Sequence, residues 1–131
     1  MTTVLLIDDE LDTLAIYAML LELAGYRVLK ALDGAQALEA LAGTVPDIIV
    51  TDWMMPGVNG KALCEQLRQP GSAYATTPII VSSAAMEAPD GAQELYDEFL
   101  RKPLLIDELI SGMERVLSSS TRTRGRGHPR S

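Results

Sequence analysis

Short apolar runs alternate with helix-length segments along this chain, and this alternation constrains its fold more than any other feature. Five runs predict strands, at residues 3–7, 27–31, 48–51, 78–82 and 98–101. The segments that follow predict helices, at residues 11–24, 35–42, 61–69 and 105–117, with at most a short helix at 92–96. Strands that alternate with helices form parallel βαβ units. The pattern therefore predicts an α/β domain with a doubly wound parallel sheet.

The composition fits one ordinary domain of a cytosolic protein. The chain has 131 residues, of which 47% are apolar, and this is enough to build a core. No apolar run approaches the roughly 20 residues that a membrane helix needs, and the chain starts with a strand-like segment rather than a leader. A single cysteine, Cys64, excludes an internal disulfide. We therefore expect a cytoplasmic protein without a membrane segment.

The net charge of −7 is divided unevenly along the chain. All 18 acidic residues lie in residues 1–117, whereas residues 118–131 contain four arginines and no acid. An acidic domain repels phosphate backbones, so nucleic-acid binding is not expected of it. The four arginines lie among Ser, Thr, Gly and Pro, as in a solvated, disordered end. We predict a folded domain at 1–117 and a basic, disordered tail at 118–131. The alternative is that the tail binds nucleic acid.

Charged residues follow three of the predicted strands. Asp8 and Asp9 follow the first run, Asp52 follows the third and Lys102 follows the fifth. The carboxyl ends of parallel strands meet at one edge of the sheet, where doubly wound folds bind ligands. Three carboxylates repel one another there unless a cation lies between them. The pattern predicts a magnesium-dependent site for phosphoryl transfer.

With these residues, the chain resembles the response-regulator receiver domains of two-component signalling over residues 3–117. Four matching segments occur in order, at residues 6–10 (LIDDE), 46–60 (PDIIVTDWMMPGVNG), 78–84 (PIIVSSA) and 102–104 (KPL). The resemblance implies a flavodoxin-like fold with five strands in the order 2-1-3-4-5. It also implies a phosphorylation-controlled switch, which is a signalling domain rather than an enzyme and assists only its own phosphorylation and dephosphorylation.

The resemblance assigns the nucleophile and the metal ligands. Asp52 would be the phosphoacceptor, attacking a phosphohistidine of a partner histidine kinase or histidine phosphotransfer protein. Mg²⁺ would be held by Asp8, Asp9, Asp52 and the backbone carbonyl of Met54. A carboxylate nucleophile is a known route to an acyl phosphate, and Mg²⁺ prefers oxygen ligands of this kind.

The resemblance also assigns the residues that respond to the phosphoryl group. Lys102 would pair with a phosphoryl oxygen, and Lys102–Pro103 would be a cis peptide. Ser83 would donate its hydroxyl to the new group, and Phe99 would be the aromatic switch residue. The interval from Ser83 to Lys102 is shorter than in the usual receiver. The helix predicted in this interval, at residues 92–96 and fourth in chain order, is therefore expected to be short or irregular. Ser82 leaves the register of the hydroxyl open, and we prefer Ser83 because it precedes Ala84.

The first helix is apolar almost all round and contains no Lys or Arg. Helical spacing assigns Thr13, Ile16, Tyr17 and Leu20 to the side of this helix that faces the core. It leaves an outward set of Leu14, Ala15, Ala18 and Met19. An exposed apolar patch beside an acidic pocket favours docking, and we expect this set to receive a histidine-containing helix bundle. The alternative is that the phase is wrong and these residues belong to the core.

Two other functions compete with the receiver hypothesis. Aspartyl-phosphate phosphatases of the dehalogenase type need a second aspartate two residues after the nucleophile, and that position is Met54 here. A receiver-like binding module that is never phosphorylated would be expected to lack an acid or the lysine, and none is missing. The only histidine, His128, lies in the tail. The domain at 1–117 therefore has no histidine for a histidine kinase, a histidine phosphotransfer protein or a Ser-His-Asp site. The downstream partner stays open, as does the choice between a stand-alone regulator, a relay intermediate and part of a larger kinase.

Overall fold

Five strands form a single sheet with helices on both of its faces. The computed structural model describes residues 1–53, 60–84 and 95–125, with residues 120–125 described by their backbone alone. The strands are β1 (Thr3–Ile7), β2 (Arg27–Ala31), β3 (Ile48–Asp52), β4 (Ile79–Ser83) and β5 (Glu98–Arg101). The helices are α1 (Leu11–Leu23), α2 (Gly34–Gly43), α3 (Gly60–Leu67) and α4 (Ile106–Gly125).

The strand order is β2–β1–β3–β4–β5, and each neighbouring pair is parallel. This confirms the predicted doubly wound sheet and its order. All five strands therefore end at the same edge of the sheet, which is where the predicted site residues lie. None of the helices that the structure describes is long and apolar enough to cross a membrane.

The core has two halves because successive strand residues point to opposite faces of the sheet. Leu5, Ile49 and Val81 point to the face that α2 and α3 cover. Residues of the opposite parity pack against α1 and α4 on the other face. Every residue of β3 and of β4 is buried, as expected of central parallel strands covered on both faces. The two layers of helices hold the ends of β1, β3 and β4 in fixed register.

The predicted phase of α1 is wrong in part. Leu14 and Ala18, which were expected to face outward, are buried against α4, and Leu21 continues their row. Ile16, which was expected to face inward, is 52% exposed. Ala15 and Met19 are exposed as predicted. A helix without a polar face carries no signal in its sequence that fixes its rotation, so packing against β1 and α4 decides it.

The last helix continues to Gly125 rather than ending at Leu117. Residues 118–124 contain no Gly or Pro, so nothing in their backbone interrupts the helical hydrogen bonds. The first part of the predicted tail is therefore helical in the structure, and the boundary between residues 117 and 118 stays a prediction. The predicted short helix at 92–96 falls largely outside the described residues, which begin again at Leu95.

Gly60 allows the chain to turn back closely after β3. Its N–H donates to the carbonyl of Trp53 at 3.0 Å. A Cβ atom on Gly60 would lie 2.5 Å from the carbonyl oxygen of Asp52 and 2.7 Å from the Cα of Trp53. Both are backbone atoms, which cannot move aside as the end of a flexible side chain could. Position 60 therefore needs glycine, because the backbone of Asp52 and Trp53 leaves no room for a Cβ atom there.

We expect Gly60→Ala to destabilise the domain by about 1–3 kcal/mol, the usual cost of overpacking a tight site. The matched control is Gly43→Ala, because a Cβ at Gly43, the last residue of α2, would meet nothing within 4 Å. That change should be neutral or mildly stabilising. Urea unfolding of both variants measures the difference. Equal stability of the two variants would contradict the close approach at Gly60.

Candidate functional site

Three carboxylates converge at the carboxyl edge of the sheet. Asp8 directly follows β1, Asp52 is the last residue of β3, and both are largely buried, at 4% and 7% exposed. Asp9 is exposed. One carboxylate oxygen from each of the three lies within 4.8 Å of the others. The Oδ1 atom of Asp8 accepts a hydrogen bond of 2.9 Å from the N–H of Glu10, which orients this carboxylate at the start of α1.

The ammonium of Lys102 lies between the two buried acids. Its Nζ is 3.1 Å from Asp8 Oδ2 and 3.3 Å from Asp52 Oδ2. Burial lowers the pKa of Lys102, but the neighbouring carboxylates of Asp52 and Asp8 raise it, and the net shift is upward. The ammonium is therefore charged at neutral pH, and on the alkaline side its stabilising pairing is lost as the pH rises through this raised pKa.

The backbone places Lys102 at this point. Its N–H donates to the carbonyl of Ser83 at 2.8 Å, which continues the β4–β5 pairing one residue beyond β5. The peptide bond Lys102–Pro103 is cis, as the resemblance implied. The side chain therefore leaves the sheet at the same edge as Asp8 and Asp52.

The donor set fits a hard divalent cation. One ammonium offsets one of the three carboxylates, and two of these carboxylates are buried, so the cluster retains an excess of negative charge. All of the ligand atoms are oxygens, which Mg²⁺ prefers, and they are close enough together to share one ion. The predicted fourth ligand, the carbonyl of Met54, lies outside the described residues.

Ser83 and Phe99 lie on the same face of the sheet. Ser83 is the last residue of β4 and is buried, while Phe99 pairs with Val81 in the register of β4 and β5. Because residues two apart on a strand share a face, Ser83 and Val81 point the same way. Phe99 is partly buried against the core on that side of the sheet. Their roles in switching stay predictions.

A row of aromatic rings runs from Trp53, the residue after Asp52, to Phe99 in β5. The sequence pattern did not predict this row. Trp53, which follows Asp52, is buried, and its ring centroid lies 5.9 Å from that of Tyr96 in an edge-to-face arrangement. The Tyr96 ring lies 6.4 Å from that of Phe99. Single aromatic residues separated by tens of positions give no periodic signal, so only the fold reveals the row. Trp53 is therefore a spectroscopic probe beside Asp52.

The model of the family described as response regulator receiver domain matches residues 4–114 of the chain. The chain belongs to this family. It is 34% identical over 118 residues to the phosphate regulon transcriptional regulatory protein PhoB of Pseudomonas aeruginosa, covering 88% of this chain and 51% of that protein. The chain thus spans about half the length of the curated relatives that it matches.

Solved receiver structures share the fold. The receiver domain of the Francisella response regulator 1452 has a TM-score of 0.81 at 31% identity, over 92% of this chain and 99% of that one. The response regulator TrrA of Thermotoga maritima, solved in complex with Mg²⁺ and BeF, has a TM-score of 0.79 at 25% identity, over 88% and 99% of the two chains. Receiver domains bind Mg²⁺ at an acidic cluster such as Asp8, Asp9 and Asp52.

We expect Mg²⁺ to stabilise the folded chain because the carboxylate cluster exists only when β1 and β3 are paired. Binding adds about 2.7 kcal/mol to the free energy of unfolding at a Mg²⁺ concentration 100 times the Kd. Urea unfolding with and without Mg²⁺ measures this gain. It should fall sharply in Asp9→Asn and be retained in Glu39→Gln, a change at an exposed acid on α2. An equal gain in both variants would place the bound ion elsewhere.

Proposed function

We propose that Asp52 accepts a phosphoryl group from a histidine kinase or a histidine phosphotransfer protein, and that the modified side chain biases a two-state element formed by Ser83 and Phe99. The observation that carries this proposal is the position of Asp52. It is a largely buried carboxylate at a strand end, and Lys102 Nζ lies 3.3 Å from its Oδ2 atom. Two further acids lie beside it.

The transfer needs positioning and charge neutralisation more than covalent chemistry. A carboxylate oxygen of Asp52 attacks the phosphorus of the phosphohistidine, a P–O bond forms and the P–N bond breaks. The imidazole leaves with the bonding electron pair. Lys102 pairs with a phosphoryl oxygen as a point charge. The chain is therefore a signalling domain that assists only its own phosphorylation and dephosphorylation.

The metal would be held by Asp8, Asp9, Asp52 and the backbone carbonyl of Met54. When bound, Mg²⁺ would neutralise the negative charge of the phosphoryl oxygens and of the acidic cluster. The oxygen-only donor set and the excess of negative charge support this assignment. In this proposal Asp8 and Asp9 act only as metal ligands, which hold the ion beside Asp52.

Ser83 and Phe99 form the switch element, which responds to the charge that the phosphoryl group adds at Asp52. The phosphoryl group brings about −1.5 to −2 of charge and three acceptor oxygens. Ser83 donates its hydroxyl to one of these oxygens, and Phe99 repacks in the space on the same face of the sheet. The shared face of Val81, Ser83 and Phe99 supports this pairing. Phe99 has no hydroxyl, so its part in the switch is packing alone.

The kinase docks on the exposed face of α1, beside Asp9. This face consists of Ala15 and Met19 from the predicted set, with Leu11 and Leu23 on the same side. Leu11 is 65% exposed and Met19 53% exposed, and an exposed apolar patch of this kind marks an interaction site. The partner is a histidine-bearing helix bundle in the cytoplasm.

The first test measures Trp53 fluorescence while Mg²⁺ and then beryllofluoride, a phosphoryl mimic, are added. We expect a change that requires Mg²⁺ and disappears in Asp52→Asn, because Trp53 is the next residue and packs on Tyr96. Asp12→Asn, at an exposed acid in the first turn of α1, serves as the control and should respond like the unmodified chain. Mg²⁺ binding without a beryllofluoride response would indicate a receiver fold used as an unphosphorylated binding module.

The second test compares two sources of phosphoryl groups. Met19→Glu places a charge on the exposed face of α1 and should lower transfer from a histidine kinase that phosphorylates the unmodified chain by about tenfold or more, since truncated interface anchors often cost above 1 kcal/mol. Phosphorylation by a small donor should stay unchanged. Ala42→Glu, at an exposed position of α2, is the matched control. Equal transfer to both variants would remove α1 as the docking face.

A further inference from the structure

Tyr17 connects α1 to the loop that carries the lysine. Its hydroxyl donates a hydrogen bond of 2.5 Å to the carbonyl of Leu104, 87 residues further along the chain. The ring is partly buried and packs against the half of the core that α1 and α4 cover. The contact joins two elements that are far apart in the sequence, because α1 follows β1 and the loop follows β5.

Hydrogen bonds fix the backbone of the 102–105 loop at three of its four residues, Lys102, Leu104 and Leu105. The N–H of Lys102 donates to the carbonyl of Ser83 at 2.8 Å, and the N–H of Leu105 donates to Glu108 Oε1 at 3.0 Å. The side chain of Leu104 is buried. Tyr17 adds the bond at the Leu104 carbonyl, which lies between these two points. The backbone two residues after the lysine is therefore fixed by α1.

The hydroxyl of Tyr17 also lies within the electrostatic reach of the site. Burial raises the pKa of Tyr17, the charge of Lys102 lowers it and that of Asp8 raises it, with a net upward shift. The hydroxyl therefore keeps its proton at neutral pH and is available as a donor. The hydroxyl donates to the backbone carbonyl of Leu104, so Tyr17 acts on the site through the loop.

We propose that Tyr17 is a positioning residue for phosphoryl transfer, whose hydroxyl fixes the 102–105 loop so that the Lys102 ammonium points between Asp8 and Asp52 toward the incoming phosphoryl group. This inference rests on the proposed role of Lys102. Lysine is a compact charge on a flexible four-carbon stem, so its position depends on the backbone from which it extends. Small misplacements of such groups reduce rates strongly.

The test uses Tyr17→Phe, which removes one oxygen and keeps the ring in the core. The matched control is Tyr26→Phe, at a partly buried tyrosine that packs on the same half of the core. Beryllofluoride affinity at saturating Mg²⁺, followed by Trp53 fluorescence, should fall about three- to tenfold in Tyr17→Phe, the usual effect of one neutral hydrogen bond. Tyr26→Phe should keep the affinity of the unmodified chain.

A second readout separates positioning from a general loosening of the fold. Lys102 competes with Mg²⁺ for Asp8 and Asp52, so a displaced ammonium leaves Mg²⁺ affinity unchanged or raised in Tyr17→Phe. Loss of Mg²⁺ and beryllofluoride affinity by the same factor would overturn the proposal, because that pattern indicates a disturbed carboxylate cluster. Unaltered beryllofluoride affinity in Tyr17→Phe would overturn it as well.

The double variant separates this inference from the proposed function. In a Lys102→Ala background, Tyr17→Phe should reduce beryllofluoride affinity no further, since the group that it positions is gone. An additional three- to tenfold loss would overturn the proposal and assign Tyr17 a role independent of the lysine. Full beryllofluoride affinity in Lys102→Ala alone would overturn the proposed role of Lys102 itself and, with it, the inference.

Discussion

Two buried carboxylates, Asp8 and Asp52, share the ammonium of Lys102 at the carboxyl edge of the sheet, and the rest of the structure keeps these three groups together. Each comes from a different strand or strand end, so their contact requires that β1, β3 and β5 hold their order and register. Burial of the acids has a cost that one ammonium only partly offsets. A site of this kind is better explained by its capacity for a cation and a phosphoryl group than by a contribution to stability.

Backbone pairing between β3, β4 and β5 places Asp52, Ser83 and Lys102 at one edge of the sheet. The N–H of Trp53 donates to the carbonyl of Ser82, and the N–H of Lys102 donates to the carbonyl of Ser83. These bonds extend the ladder beyond the last residues of β3 and β5. Asp52, Ser83 and Lys102 therefore extend from one rigid sheet, as the precise positioning of a site requires. Gly60 approaches the backbone of Asp52 and Trp53 closely, and only a residue without a Cβ atom fits there.

The residues of the site were predictable because each is adjacent to a strong local signal. An apolar run followed by Asp8 or Asp52 marks a strand end, and Lys102-Pro103 marks another. The rotation of α1 was not predictable in the same way. Its residues are apolar on all sides, so Leu14 and Ala18 could be assigned to the surface from spacing alone, whereas the structure buries them against α4. The end of α4 was missed because serine and threonine weaken a helix without stopping it.

Local signals in the sequence predict the alternation of strands and helices, the parallel sheet, and the acids and lysine at its carboxyl edge, because each of these depends on neighbours within a few residues. The fold alone shows which face of α1 is exposed, which aromatic rings meet beside Asp52, and that Tyr17 bonds to Leu104. These features depend on contacts between residues far apart in the chain. Such contacts form only when the two helical layers pack on the sheet, and no local pattern encodes them.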